Sequence, residues 1–194
     1  MARLPGPNMA LPDRIDYWTG DALNDINNPI LRAINAVNPL KVSEGVEPWR
    51  QELLSIGYDG LALVSKDTSG TLEYPAEVRE LIYSRMGKTQ PWKEAKRILG
   101  MEKYQAEIRA IKKARQEGMT TQQIRSQDTE LFDRLDTVVR DSLKAAEASV
   151  TAENEYVRQY IDMGKRSRAY VEQGRTEEAT SLQKQMEPLL QMIK

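Results

Sequence analysis

Two carboxylate pairs are the residues of this sequence whose spacing would suit catalysis. Asp133 with Asp136, and Glu153 with Glu155, lie close enough along the chain for general acid–base chemistry. The sequence has no histidine and no cysteine, which excludes Ser–His, Cys–His and thiolate–metal arrangements. Both pairs lie in strongly polar helical stretches, where carboxylates usually face solvent. We therefore expect no catalytic residue, no metal site, no cofactor and no enzymatic activity.

A basic segment suggests a second kind of chemistry, the binding of phosphate groups. Residues 85–115 carry ten bases and three acids, a local charge of +7. Such a surface can hold a nucleic-acid backbone without reading its sequence. The candidate phosphate-contacting residues are Lys93, Lys96, Arg97, Lys103, Arg109, Lys112, Lys113 and Arg115. The alternative is a solvated face paired with acids, and residues 128–155, with eight acids and three bases, supply a local charge of −5. The pairing is the favoured interpretation.

Five aromatic residues bracket successive elements of the N-terminal half. They are Trp49, Tyr58, Tyr74, Tyr83 and Trp92. Aromatic side chains at the seams of short helices are typical of a small packed core. A platform on which bases stack would instead need them on an exposed sheet face. We expect them to form a core.

Helical patterns and chain breakers together predict a mainly α fold. Residues 1–13 contain three prolines and a glycine, which favour an extended arm. Residues 14–118 are predicted to form a compact region of short helices with one small hairpin or extended turn at 61–74. Residues 119–194 have few breakers and predict a long helix followed by a C-terminal helix in a helical hairpin.

Net charge and hydrophobicity limit the expected partners. The formal net charge of −1 gives no overall attraction to nucleic acid or to a membrane surface. No apolar run approaches the ~20 residues needed to span a bilayer, so no membrane-spanning segment is expected. The first residues, MARLPGPNMALPDRIDYW, lack the apolar stretch of a signal peptide.

The predicted long helix, from Asp128 to about Gln173, indicates assembly. A helix of this length needs another surface to cover its apolar side, either the N-terminal region or a second subunit. Its spacing favours close, coiled-coil-like packing over a strict leucine zipper. The candidate oligomer seam is formed by Leu131, Leu135, Val138 and Leu143. We expect a homo-oligomer, or a chain that is stable only inside a larger assembly.

One block of the sequence resembles a known class of proteins. It reads NPLKVSEGVEPWRQELLSIGYDGLALVSKDTSGTLEYPAEVRELIYSRMGKTQPWKEAKRIL. An Asn-Pro, an E-P-W-R helix, G-Y-D-G, a turn with threonine and glycine, and a proline-started helix ending in M-G-K follow in this order. This order resembles segments near the C-terminal end of large internal virion proteins of tailed bacteriophages, of the tape-measure or ejection type. The resemblance covers about residues 20–118.

The resemblance implies a structural function. It implies a chain made in the host cytoplasm and packaged inside the virion or its tail, in several copies around the DNA exit path, and released on infection. Its partners would be copies of itself and other tail, portal or core proteins of the particle. It also suggests that this chain is a C-terminal piece of a longer one. The alternative function is a sequence-independent module that binds duplex DNA through residues 85–115.

Overall fold

The chain is mainly helical in a computed structural model that describes residues 15–20, 47–70, 72–127 and 129–193. Its helices in these ranges are α1 (Pro48–Ile56), α2 (Leu61–Val64), α3 (Ala76–Thr89), α4 (Pro91–Leu99), α5 (Glu102–Gln116), α6 (Thr121–Arg125), α7 (Glu130–Glu153), α8 (Glu155–Glu172) and α9 (Thr176–Met192). The described ranges contain no extended strand. The predicted mainly α fold class is thereby confirmed. The predicted arm at 1–13 lies outside the described residues.

Proline and glycine set several of the helix ends, as the sequence indicates. Pro48 and Pro91 occupy the first turns of α1 and α4, where a missing N–H costs no helical hydrogen bond. Gly57 ends α1 in the left-handed conformation with φ 69°. Thr120 and Gln123 form a reciprocal capping box at the start of α6.

The segment at 61–74 forms a helical turn and a tight loop. Leu61–Val64 is helical, and the chain then reverses so that Lys66 and Glu73 form a single antiparallel bridge. The Asp67 carboxylate accepts the Leu72 backbone N–H at 2.8 Å and so closes the loop from within. The structure therefore matches the extended turn of the prediction, since no two-stranded hairpin forms.

The predicted long helix is broken at a single residue. Helix α7 ends at Glu153, α8 begins at Glu155, and Asn154 between them is extended with φ −124° and ψ 104°. The Asn154 side-chain oxygen accepts the Val157 N–H at 3.1 Å and caps α8. The prediction of one continuous helix was therefore wrong at this position, because asparagine caps a helix better than it continues one.

One hydrophobic core joins the two halves of the chain. It contains Trp18 and Trp49 from the N-terminal side, and Phe132, Leu135 and Ile161 from the C-terminal side. Helix α7 packs most extensively on α3, and also on α2 and α4. Residues on both sides of the predicted boundary at 118 thus share one core.

The candidate oligomer seam lies inside this core. Leu131, Leu135 and Leu143 are buried, and Val138 is half-buried against the same cluster. The N-terminal region covers the seam, so these side chains are not available to a second copy in this conformation. The choice of these residues as an oligomer surface is therefore corrected.

The aromatic residues pack as predicted. Trp49, Tyr58, Tyr74 and Tyr83 are buried, which confirms their interpretation as core residues. Trp92 is half-buried at the edge, and its ring stacks on Trp49 with 6.4 Å between centroids.

Candidate functional site

Acidic residues neutralise about half of the predicted phosphate-contacting residues. On the surface of α4 and α5, Arg97 and Lys103 contact Glu94 and Glu130 at 2.5 and 2.6 Å. Lys112 lies 2.7 Å from Glu52 of α1. These contacts reduce the positive potential that a phosphate backbone would meet. A weaker pair joins Lys113 to Glu117 at 3.8 Å.

Arg115 has a structural position next to the end of α1. Its Nη1 donates to the Thr121 hydroxyl at 2.9 Å, and that hydroxyl donates to the Gly57 carbonyl at 3.2 Å. A cation at the C-terminus of a helix is favoured by the helix dipole. The left-handed φ of 69° at Gly57 favours glycine, and a Cβ there would displace the guanidinium at the flexible end of Arg115.

Six of the eight basic candidates are exposed, and three of these six have no carboxylate partner among the described residues: Lys93, Lys96 and Arg109. No carboxylate within the described ranges lies within 4.0 Å of them. The Lys93 ammonium is 5.5 Å from the centroid of the Trp92 ring. Of the eight candidates, these three side chains are therefore available to bind an anionic ligand on α4 and α5.

Ion pairs connect the basic segment to the acidic segment. Arg85 of α3 pairs with Glu153 at the end of α7, and Lys103 of α5 pairs with Glu130 at its start. The opposite local charges of residues 85–115 and 128–155 predict ion pairs between these two segments, and both contacts are of this kind. The two segments therefore hold each other within one chain.

The carboxylate pairs do not form a catalytic arrangement. Asp136 is buried in a polar cluster, whereas Asp133 faces solvent on the same helix. Glu153 and Glu155 are exposed, and they contact Arg85 and Arg158 respectively.

The first buried polar cluster is centred on Asp136 of α7. Its carboxylate accepts the Tyr58 hydroxyl at 2.8 Å and two bonds from the Arg125 guanidinium at 2.8 and 3.2 Å. Burial and the neighbouring carboxylate raise the pKa of Tyr58, while the hydrogen bond to Asp136 raises the pKa of Arg125. Arg125 also lies over the rings of Tyr58 and Phe132. The cluster fastens the loop after α1 to α7.

The second buried polar cluster joins the 65–74 loop to α7 and α8. Glu147 accepts the Tyr74 hydroxyl at 2.6 Å and the Thr68 N–H at 3.0 Å. Lys165 of α8 approaches Glu147 at 3.3 Å and Asp67 at 3.7 Å. Burial and the bond to Glu147 raise the pKa of Tyr74.

Sequence reasoning named Asp136, Tyr58 and Tyr74 for other reasons but missed both clusters and their remaining members. Asp67, Glu147 and Lys165 are ordinary charged residues in polar stretches, and they lie up to 98 positions apart, from 67 to 165. One available signal is that Glu147 falls on the same helical stripe as Leu143 and Val150. A carboxylate on an apolar stripe indicates a buried partner.

Two shallow depressions mark the surface. One, of about 360 Å³, lies between α5 and the connection from α6 to α7. The other, of about 310 Å³, lies between the α3–α4 junction and α7. The first is lined by the Thr129 hydroxyl with Glu107 and Glu130, and the second by the Ser142 hydroxyl with Glu94 and Asp141. Within the described ranges, no group of carboxylates is placed to hold a metal ion, and no helix is long and apolar enough to cross a bilayer.

Comparison with known proteins adds no relative. No protein-family model, no curated protein and no solved structure matches the chain. The two buried clusters, the exposed cations of α4 and α5, and the C-terminal hairpin are therefore the features on which a function must be argued.

Proposed function

We propose that the chain is a structural and interaction protein of a phage particle. It serves as an oligomeric internal component of the tape-measure or ejection type, associated with the tail or the DNA exit path. The sequence resemblance supplies the class of particle. The structural feature that supports an interaction function is the α8–α9 hairpin.

The α8–α9 hairpin lies at the edge of the core, to which it contributes Val157, Ile161 and Met186. Helix α9 packs chiefly on α8, with Ala179 and Met186 as its buried residues. From 168 to 178 every residue is exposed or half-buried, so the tip of the hairpin extends beyond the core. Val171 at this tip is 45% exposed. A helical unit with free sides is a common form of protein–protein contact.

The buried clusters support the same function. Both Asp136 and Glu147 use their carboxylates to hold loops against α7, and each has its hydrogen-bond partners within the chain. Such networks rigidify a fold when every polar group is satisfied. A rigid helical body with a projecting hairpin suits a packaged structural component.

Binding of duplex DNA is the second candidate function. It is favoured by Lys93, Lys96 and Arg109, which are exposed on α4 and α5. Contacts of this kind would be independent of base sequence and would weaken with salt. The DNA phosphates would compete for these basic side chains with the acidic residues of α7 in the same chain.

Sedimentation of the full chain tests both functions. We expect concentration-dependent self-association of the chain that duplex DNA does not change, because hairpin contacts need no phosphate. A compact monomer at every concentration would contradict the structural function. Binding of DNA that falls with salt, and falls further in Lys96→Glu with Arg109→Glu, would instead establish the second function. Arg140→Glu with Lys184→Glu, at exposed positions on α7 and α9, is the matched control for these two charge reversals.

A further inference from the structure

The buried stripe of α7 continues in phase through the break at Asn154. Leu143, Ala146 and Val150 are buried on α7, and Val157, Ile161 and Gly164 are buried on α8. Their successive spacings of three, four, seven, four and three residues place all six on one side of a single uninterrupted helix. The sequence therefore encodes a continuous helix as well as the bent form.

The bent form brings distant residues together. In a straight helix Glu147 and Lys165 would be about 27 Å apart along the axis, at 1.5 Å per residue. Here the two side chains meet at 3.3 Å. The reversal takes place at Asn154 alone, whose N–H still donates to the Val150 carbonyl at 2.8 Å.

The bent and straight forms of the hinge use different local hydrogen bonds. In the bent form the Asn154 side chain caps the Val157 N–H, while the preceding amides of Glu155 and Tyr156 lie before the first hydrogen bonds of α8. In a straight helix these amides would gain the carbonyls of Thr151 and Ala152, and the cap would be lost. The core contacts of α8 are retained only if an equivalent hairpin takes its place.

Contacts between the hairpin and the rest of the chain are specific to this sequence. Lys165 lies beside the buried carboxylates of Asp67 and Glu147. Gly164 lies against Leu72, whose Cγ is 3.2 Å from the position of a Cβ built on the glycine. If the α8–α9 hairpin moved away from the rest of its chain, Lys165 would lose its contacts with both carboxylates. Only another hairpin with the same residues would restore these contacts.

We infer that the chain can exchange its α8–α9 hairpin with a second copy, with Asn154 as the hinge. Each hairpin then occupies on its partner the position that it occupies here on its own chain. Because the same contacts form in both states, the balance depends on the hinge and on protein concentration. This inference rests on the proposed self-association and specifies its mode.

Two substitutions at the hinge should shift this balance in opposite directions. Asn154→Ala removes the cap and favours the straight helix, so the dimer fraction at a given concentration should rise. Proline at position 155 is compatible with the first turn of α8 in the bent form. Inside a continuous helix it should lower the population of the straight form about a hundredfold. Asn154 already has the extended conformation that a residue before proline prefers.

A disulfide trap distinguishes exchange from other association. The chain has no cysteine, so Leu72→Cys with Gly164→Cys introduces a single pair at a site close enough for a bond. After oxidation at high concentration and denaturation without reductant, the pair should give covalent dimers with Asn154→Ala and covalent monomers with Glu155→Pro. Circular dichroism of each variant verifies that it is folded.

The outcomes separate the two proposals. Covalent dimers in the Asn154→Ala background, absent with Glu155→Pro, establish exchange. If the protein sediments as an oligomer but its disulfides form only within one chain, exchange is overturned and the proposed self-association stands. If neither an oligomer nor a covalent dimer forms at any concentration, both proposals fail.

Discussion

Four tyrosines in the N-terminal half are buried with their hydroxyl groups in apolar or acidic surroundings. They are Tyr17, Tyr58, Tyr74 and Tyr83. Desolvation is the first cause of the raised pKa in each, since a phenolate cannot be solvated inside the core. Neighbouring carboxylates raise the pKa of all four further, while Arg79 lowers that of Tyr83. These residues make the chain sensitive to alkali.

Stability should therefore fall at alkaline pH. Burial raises the pKa of Tyr83 to about 12, whereas an unfolded tyrosine ionises near 10. Above about pH 10 the unfolded state binds fewer protons, so the free energy of unfolding decreases by up to ~1.4 kcal/mol per pH unit for each such tyrosine. Tyr83→Phe should make this decrease shallower in urea unfolding measured across the alkaline range. Tyr156→Phe, at a side chain that is 39% exposed, is the control and should leave this decrease unchanged. Equal slopes for all three proteins would contradict the prediction.

At the scale of the element, α1 shows how one short helix is held by its buried face. Trp49, Leu53 and Ile56 point into the core, and Leu54 on the same helix is 54% exposed. Trp49 contacts Trp18 edge-on at 5.8 Å and donates from Nε1 to Glu47 at 2.6 Å. Nine residues are too few for an independent helix in water, so this packing stabilises it.

Trp49→Ala should destabilise the fold strongly. Removing a buried tryptophan side chain costs ~3–5 kcal/mol, because the cavity collapses only in part. The free energy of unfolding, measured by denaturant titration with circular dichroism, should fall by about that amount. Leu54→Ala on the exposed side of α1 should change it by less than ~0.5 kcal/mol. A similar effect of both substitutions would show that α1 is not held by its buried face.

The sequence predicts elements better where a residue acts through its own backbone. Pro48, Gly57 and Pro91 mark helix ends because their effects are local. The break at Asn154 was missed because the apolar stripe continues through it, although the Asn154 cap on α8 and tertiary contacts both favour the bend. The clusters around Asp136 and Glu147 were missed for a related reason, since their partners come from distant segments.

At the scale of the whole molecule, opposite charges and one core unite the two halves. The basic and acidic segments meet through Arg85–Glu153 and Lys103–Glu130, yet all four residues are at least partly exposed, so these pairs contribute little energy. Burial of the apolar face of α7 against α3 supplies more. Charge therefore orients the halves, and hydrophobic packing holds them together.

This arrangement predicts that a destabilising substitution in α7 also destabilises the N-terminal half. Leu135 is fully buried in α7, and all three tryptophans precede residue 93. Leu135→Ala should lower the free energy of unfolding by ~2–5 kcal/mol. The tryptophan fluorescence transition should move with it, because the same core includes Trp18 and Trp49. Lys144→Ala, on the exposed side of α7, is the control and should leave that transition in place. If Leu135→Ala shifted the helical signal while the tryptophan transition stayed unchanged, the two halves would be independent folding units. The shared core would then contribute little to the stability of the N-terminal half.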